Sequence, residues 1–156
     1  MQDLSLVIKE AKTLDVDITR IAQYSKKIEE LGNDFNRLNT PDYLRDLIIA
    51  RDITSQALFK ITKCLMDAED LVKKEESIAF LDRAEVHLTI KGSKDTVDAR
   101  KMYVNRDEQV LKARGVYNQL KALERLIRDK VSLFKDAHDT LKKIVYSENN
   151  SPWEGM

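Results

Sequence analysis

Arg114, Lys121, Arg128, Lys135 and Lys142 recur at intervals of seven. On an α-helix that interval sets charged groups roughly 10 Å apart along one edge, a row able to neutralise successive phosphates of a nucleic-acid strand. A second basic group precedes them: Lys91, Lys94, Arg100, Lys101 and Arg106, with Tyr103 among them. Gly92 and Ser93 let a backbone approach a phosphate there, and Tyr103 offers a ring for a base. Cations interleaved with an aromatic are what single-strand binding requires. Both groups have a structural reading as well. Basic residues flanking an apolar seam pair with acids on a neighbouring helix or lay their stems over the seam. The connector group reads equally as a solvated turn, with Tyr103 packed as a helix anchor.

Little else in the chain points to chemistry. There is no GxxxxGK[ST], GxGxxG or GxSxG, hence no phosphate-cradling loop and no nucleophile elbow. His87 and His138 are far apart and lack metal-ligand spacing, and His138 reads as a buried or hydrogen-bonded core histidine. Cys64, the single cysteine, excludes an intramolecular disulfide and reads as a small core residue. The expectation is a non-enzyme with no catalytic residues, no metal and no cofactor. Trp153, the one tryptophan, sits in Ser151-Pro152-Trp153-Glu154 and reads either as a docking peptide or as a tail residue folded back on the chain.

The elements that must position these residues are helices. With 35% charged residues, 6% aromatics, four glycines and two prolines, the chain is poor in turn-formers, which argues against a many-stranded sandwich or barrel. The expected fold is all-α, an elongated, coiled-coil-like helical bundle within one domain, 1–146. Its parts are N-terminal helices in 1–40, a long central helix over 41–90, a basic connector over 91–104, and a C-terminal helix over 105–146. A flexible tail, 147–156, follows. Asp3–Lys12 reads as a short amphipathic helix, and a second begins after Asp15 or Asp17, with Gly32-Asn33 bending or ending it. Thr40-Pro41-Asp42 is a helix start: a capping hydroxyl, a proline suited to the first turn, and an acid at the positive end. Val86, Leu88 and Ile90 alternate with polar residues, yet the stretch reads as a helix running into a loop. A short helix is expected over 95–102, and Asn105 as the cap of the last one.

From Val110 to Val145 a heptad places Val110, Ala113, Tyr117, Leu120, Glu124, Ile127, Val131, Phe134, His138, Leu141 and Val145 at positions a and d. Val116, Leu123, Ala137 and Ile144 at position g widen the stripe. Such a helix, roughly 60 Å long, needs partners. Tyr117, Leu120, Ile127, Val131, Phe134 and Leu141 are therefore expected to drive homo-oligomerisation. The charge is balanced overall, 27 basic against 27 acidic, but residues 1–90 hold 13 against 17 and residues 91–146 hold 14 against 8. That asymmetry suits a polyanionic partner for the basic half, or halves that attract each other. No stretch is long and apolar enough to span a membrane and no signal peptide opens the chain, so a soluble protein of a reducing compartment, the cytoplasm, is expected.

The stretch Asp95-Thr96-Val97-Asp98-Ala99-Arg100-Lys101-Met102, then Arg106-Asp107-Glu108-Gln109-Val110-Leu111-Lys112 leading into the long terminal helix, resembles the UvsY-type recombination mediators of tailed phages. The resemblance covers roughly residues 90–146. The longer N-terminal part, the extra tail and the more acidic first half depart from that family. The resemblance implies a ring-forming accessory protein that binds single-stranded DNA and helps load a recombinase onto strands covered by a single-strand-binding protein, in the host cytoplasm if the chain is of phage origin. The rival expectation is a coiled-coil adaptor or assembly chaperone whose basic row meets an acidic protein partner.

Overall fold

The computed structural model describes residues 14–34 and 40–149, with the side chains of 31–34 and 148–149 left aside. The protein is all-α. Helix α1 spans Ile18–Asp34 and α2 spans Thr40–Ile78; a single π turn, Ala79–Arg83, links α2 to α3, Ala84–Ile90. Helix α4 spans Val97–Val104 and α5 spans Glu108–Asn149. The described residues form two compact units, one of 61–123 and one of 14–34 and 40–60 with 124–149.

Local chemistry accounts for several of the helix ends. Asp17 caps α1 by accepting from the Arg20 amide at 2.9 Å, and α1 runs through Gly32-Asn33 to Asp34. Thr40, buried at 4% exposure, opens α2. Helix α3 stops in a Schellman arrangement: the Gly92 amide donates to the Thr89 carbonyl and the Ser93 amide to the Leu88 carbonyl, with Gly92 at a φ of 63°. A side chain at that φ would strain the backbone, so Gly92 is there to end a helix. Helix α4 starts two residues later than expected, capped by Thr96, whose hydroxyl accepts from the Ala99 amide at 3.2 Å. Helix α5 is capped by Asp107 rather than Asn105: Asp107 Oδ1 accepts from the amides of Gln109 and Val110, each at 3.1 Å. It then continues through Ser147 to Asn149, past the expected start of the tail. The Asp3–Lys12 helix and Trp153 lie outside the described residues.

In the 61–123 unit, Ala79, Val104 and Val110 form a buried cluster against which Phe80 and Tyr103 pack. Ala84, Leu88, Ala113, Leu120 and Leu123 are also buried. In the other unit Val16, Ile21, Leu47, Ala50, Ala57, Ile127, Phe134 and Leu141 are buried, with Thr54 returning its hydroxyl to the Ala50 carbonyl. Lys27 donates to Asp46 at 2.6 Å and so ties α1 to α2; that hydrogen bond holds the ammonium's pKa above its ordinary value.

The heptad is borne out as a packing pattern, since every d residue of α5, from Ala113 to Leu141, is buried. The use expected of it is corrected. Leu120, Ile127, Phe134 and Leu141 are covered by the chain itself, and Tyr117 and Val131 are half-buried. The seam that was to join copies of the chain closes the fold of one copy.

Candidate nucleic-acid interface

The 61–123 unit positions the connector. The π turn is its organising feature. A π turn widens the helix and loosens the backbone ladder, and such turns concentrate at functional sites. Arg100, from α4, reaches into it: its guanidinium donates to the carbonyls of Phe80 at 3.2 Å and Leu81 at 3.3 Å. Its other nitrogens pair with Asp95, and Glu85 lies 3.6 Å away. The Arg100 side chain is only 19% exposed and stands 5.8 Å from the centre of the Phe80 ring. Hydrogen bonding to Arg100 lowers the Asp95 pKa, and the arginine's own is raised by the same bond. Arg100 is therefore a clamp holding α4 to the π turn, and its expected role as a phosphate contact is corrected.

Tyr103 is corrected likewise. Its ring lies 4.8 Å from that of His87 at a 43° tilt and packs against the buried cluster. Burial raises its pKa, and a hydrogen bond to Asp107 adds to the effect. It packs as the helix anchor of the competing reading, half-buried, and it also lines an open cleft with Val86, His87 and Ile90.

Below it runs a polar network that the sequence did not suggest. Arg83 donates from Nε to Asp107 Oδ2 at 2.9 Å, and from Nη2 to Asp107 Oδ1 at 2.9 Å and to Glu75 Oε2 at 3.0 Å. Burial opposes the charge on both Arg83 and Asp107. It is outweighed: the arginine's pKa is raised by its bonds to Asp107 and Glu75, and the carboxyl's is lowered by the Val110 amide, Arg83 and Tyr103. The one sequence signal was Asp107 standing three residues before the apolar Val110, an N-cap spacing.

The other connector cations are placed differently. Lys91, Lys94, Lys101 and Arg106 are exposed and make no ion pair with another described residue. Lys101 lines an open groove of about 600 Å³, together with Lys73, Phe80, Leu81, Val104 and Arg114. Glu76, Ser77 and Asn105 line it as well, and of its cations Arg114 is paired with Glu76 and Lys73 with Glu69; its volume falls within the range of small-ligand sites.

The heptad row on α5 is not uniform. In the 61–123 unit Arg114 grips Glu76 with Nε at 2.9 Å and Nη2 at 2.6 Å, and donates to Asn105 Oδ1 at 3.1 Å. Lys121 lies 5.4 Å from the Tyr117 ring and acts electrostatically on Glu69 of α2. Glu76 thus answers Arg114, while Glu69 pairs with Lys73 of its own helix at 2.9 Å. In the other unit Arg128 pairs with Glu124 one turn back, Lys142 stands 5.9 Å from the Tyr146 ring, and Lys135 is exposed without an ion pair. Arg114 follows the pairing reading, while Lys121, Lys135 and Lys142 keep exposed ammonium groups.

His138 is 22% exposed, with Nδ1 3.2 Å from Asp139, whose pKa that contact lowers. Cys64 is a half-buried free thiol. Among the described residues no cluster of His, Cys, Asp and Glu could hold a metal, and no helix is long and apolar enough to cross a membrane. No family model, curated protein or solved structure matches the chain.

Proposed function

We propose that this is a non-enzymatic accessory protein that binds single-stranded nucleic acid through the 91–106 connector and the groove beside it. One observation carries the reading. Within 91–106, Lys91, Lys94, Lys101 and Arg106 are exposed without ion pairs to other described residues, while Asp95 is consumed by Arg100, leaving Asp98 as the only other acid of that segment. Uncompensated cations on a short segment attract a polyanion by counterion release. The apolar floor of Phe80, Leu81 and Val104 gives an unstacked base somewhere to lie, which a duplex cannot exploit. Exposed Lys121 extends the field along α5 within the same unit. The resemblance of residues 90–146 to UvsY-type mediators supports the finer reading: a cytoplasmic recombination mediator that acts as an oligomer and helps a recombinase displace a single-strand-binding protein. Many weak phosphate contacts would then add by avidity.

The test is fluorescence anisotropy of a labelled single-stranded oligonucleotide across a salt series. Four contacts give a log–log slope of about −3, at about −0.7 per phosphate, with duplex a poorer competitor. Absence of binding at low salt refutes the reading.

A second reading, an adaptor for an acidic protein, is favoured by exposed apolar residues in and beside the same segment: Ile90 at 80%, Val97 at 58% and Met102 at 59%. Cations around apolar side chains suit an acidic amphipathic helix. Salt-sensitive binding of such a peptide, with no affinity for oligonucleotide, would establish it.

A further inference from the structure

Three side chains in the lining of the connector groove, all within the 61–123 unit, are held in a fixed relation by a single guanidinium. Arg114 places Nε and Nη2 on Glu76 Oε1, at 2.9 and 2.6 Å, and Nη1 on Asn105 Oδ1, at 3.1 Å. Each partner is thereby engaged through one atom. Glu76 Oε2 accepts from no other described residue, and Asn105 Nδ2 donates to none. Because the Asn105 carbonyl is on the arginine, its amino group is turned away from it. The groove therefore offers a carboxylate oxygen, which only accepts, near an amide nitrogen, which only donates.

The rest of the lining divides by chemistry. Phe80, Leu81 and Val104 are apolar, and Lys101 is the lining cation without an ion pair among the described residues, since Lys73 is paired with Glu69 and Arg114 with Glu76. Hydrocarbon suits the plane of a base, a free ammonium suits the phosphate beside it, and a fixed acceptor near a fixed donor reads an edge. The bases differ in what they offer such a pair. The Watson–Crick edge of guanine carries two adjacent donors, N1–H and the N2 amine, followed by the O6 acceptor. Glu76 Oε2 has lone pairs for both donors, and Asn105 Nδ2 has an N–H for O6. Cytosine and adenine offer the carboxylate a single amine N–H. Thymine offers one ring N–H between two carbonyls, and a carboxylate repels the carbonyl beside it.

Resting on the single-strand reading of this groove, we propose that it selects an unpaired guanine: Glu76 accepts from N1–H and the N2 amine, Asn105 donates to O6, and Lys101 meets the adjoining phosphate. A duplex uses that edge for pairing, so the same contacts exclude paired strands. The test is anisotropy with labelled strands of about twelve nucleotides in which thymine alternates with guanine, hypoxanthine or cytosine, beside an all-thymine strand. The guanine strand should bind about fivefold or more tighter than the cytosine and all-thymine strands. Hypoxanthine keeps O6 and N1–H and lacks only the N2 amine, so its strand should bind about two- to threefold more weakly than guanine's. Glu76→Gln should erase the guanine preference while affinity for the all-thymine strand holds or rises, because Arg114 is released from its carboxylate. Asn105→Asp keeps an acceptor for Arg114 but sets a second acceptor opposite O6, and should also erase the preference, with the circular dichroism spectrum unchanged. Equal binding of all four strands overturns the guanine assignment alone; failure of every strand to bind at low salt overturns it together with the single-strand reading. A hypoxanthine strand as tight as guanine's, or a preference that survives Asn105→Asp, overturns it as well.

Discussion

Five cations stand along one edge of α5 and five lie between Lys91 and Arg106, and the fold treats the two sets differently. On α5, Arg114 and Arg128 are bound to glutamates of the same chain, and Lys121 and Lys142 lie over tyrosine rings. Among the described residues, only Arg100 of the connector cations is tied down, and the other four are exposed without ion pairs. Periodicity marks a helix edge, and a helix edge that flanks a packed seam finds acids on the neighbouring helix. A turn that projects from a helix pair has no such neighbour. An irregular cluster in a connector is therefore the better guide to an external partner than a regular row on a packed helix.

That contrast can be broken at several points. Reversing the connector charges together, with Lys91, Lys94, Lys101 and Arg106 all changed to Glu, should lower oligonucleotide affinity by about a hundredfold or more and flatten the salt slope by about 2 to 3 units. Equal loss from the α5 lysines would move the site to α5. Asp107→Ala removes the α5 cap and strands Arg83, and should cost about 2 kcal/mol in urea unfolding. Arg100→Gln should lower the melting temperature by a few degrees without altering the salt slope, whereas Lys101→Gln should do the reverse. Acid provides a further separation. The Asp107 pKa is lower in the folded chain than unfolded, so its stabilisation is complete above the ordinary carboxylate range and is lost as pH falls through that range to the lowered value. In Asp107→Asn this part of the acid limb of a stability–pH curve should flatten. The smallest effect is expected from Arg114→Gln, at most about threefold in affinity, because its charge is already spent on Glu76.

Most of the helical layout was legible because it follows from local rules. The seven-residue repeat in α5 fixed its buried face, and the residues around Gly92 fixed the end of α3. Where several caps were available, the sequence alone did not choose among them: Asn105 and Asp107 are both good cap residues, and burial beside Arg83 decided for Asp107. Adjacent Arg100 and Lys101 look alike in sequence, yet one points into the π turn and the other into solvent. Arg83 and Asp107 are separated by an entire helical excursion, and pairings of that kind are invisible to periodicity.

The π turn has one more consequence. It holds one residue more than an α-helical turn would, so everything beyond Arg83 is rotated by about 100° relative to an uninterrupted helix. Deleting a single residue between Ala79 and Arg83 would let α2 and α3 merge into one regular helix, swinging Lys91 and Lys94 around the axis by that angle and parting Arg100 from its carbonyl acceptors. The direction in which the connector faces is thus encoded by a residue count, and one lost codon there would re-aim it without altering any of its charged side chains.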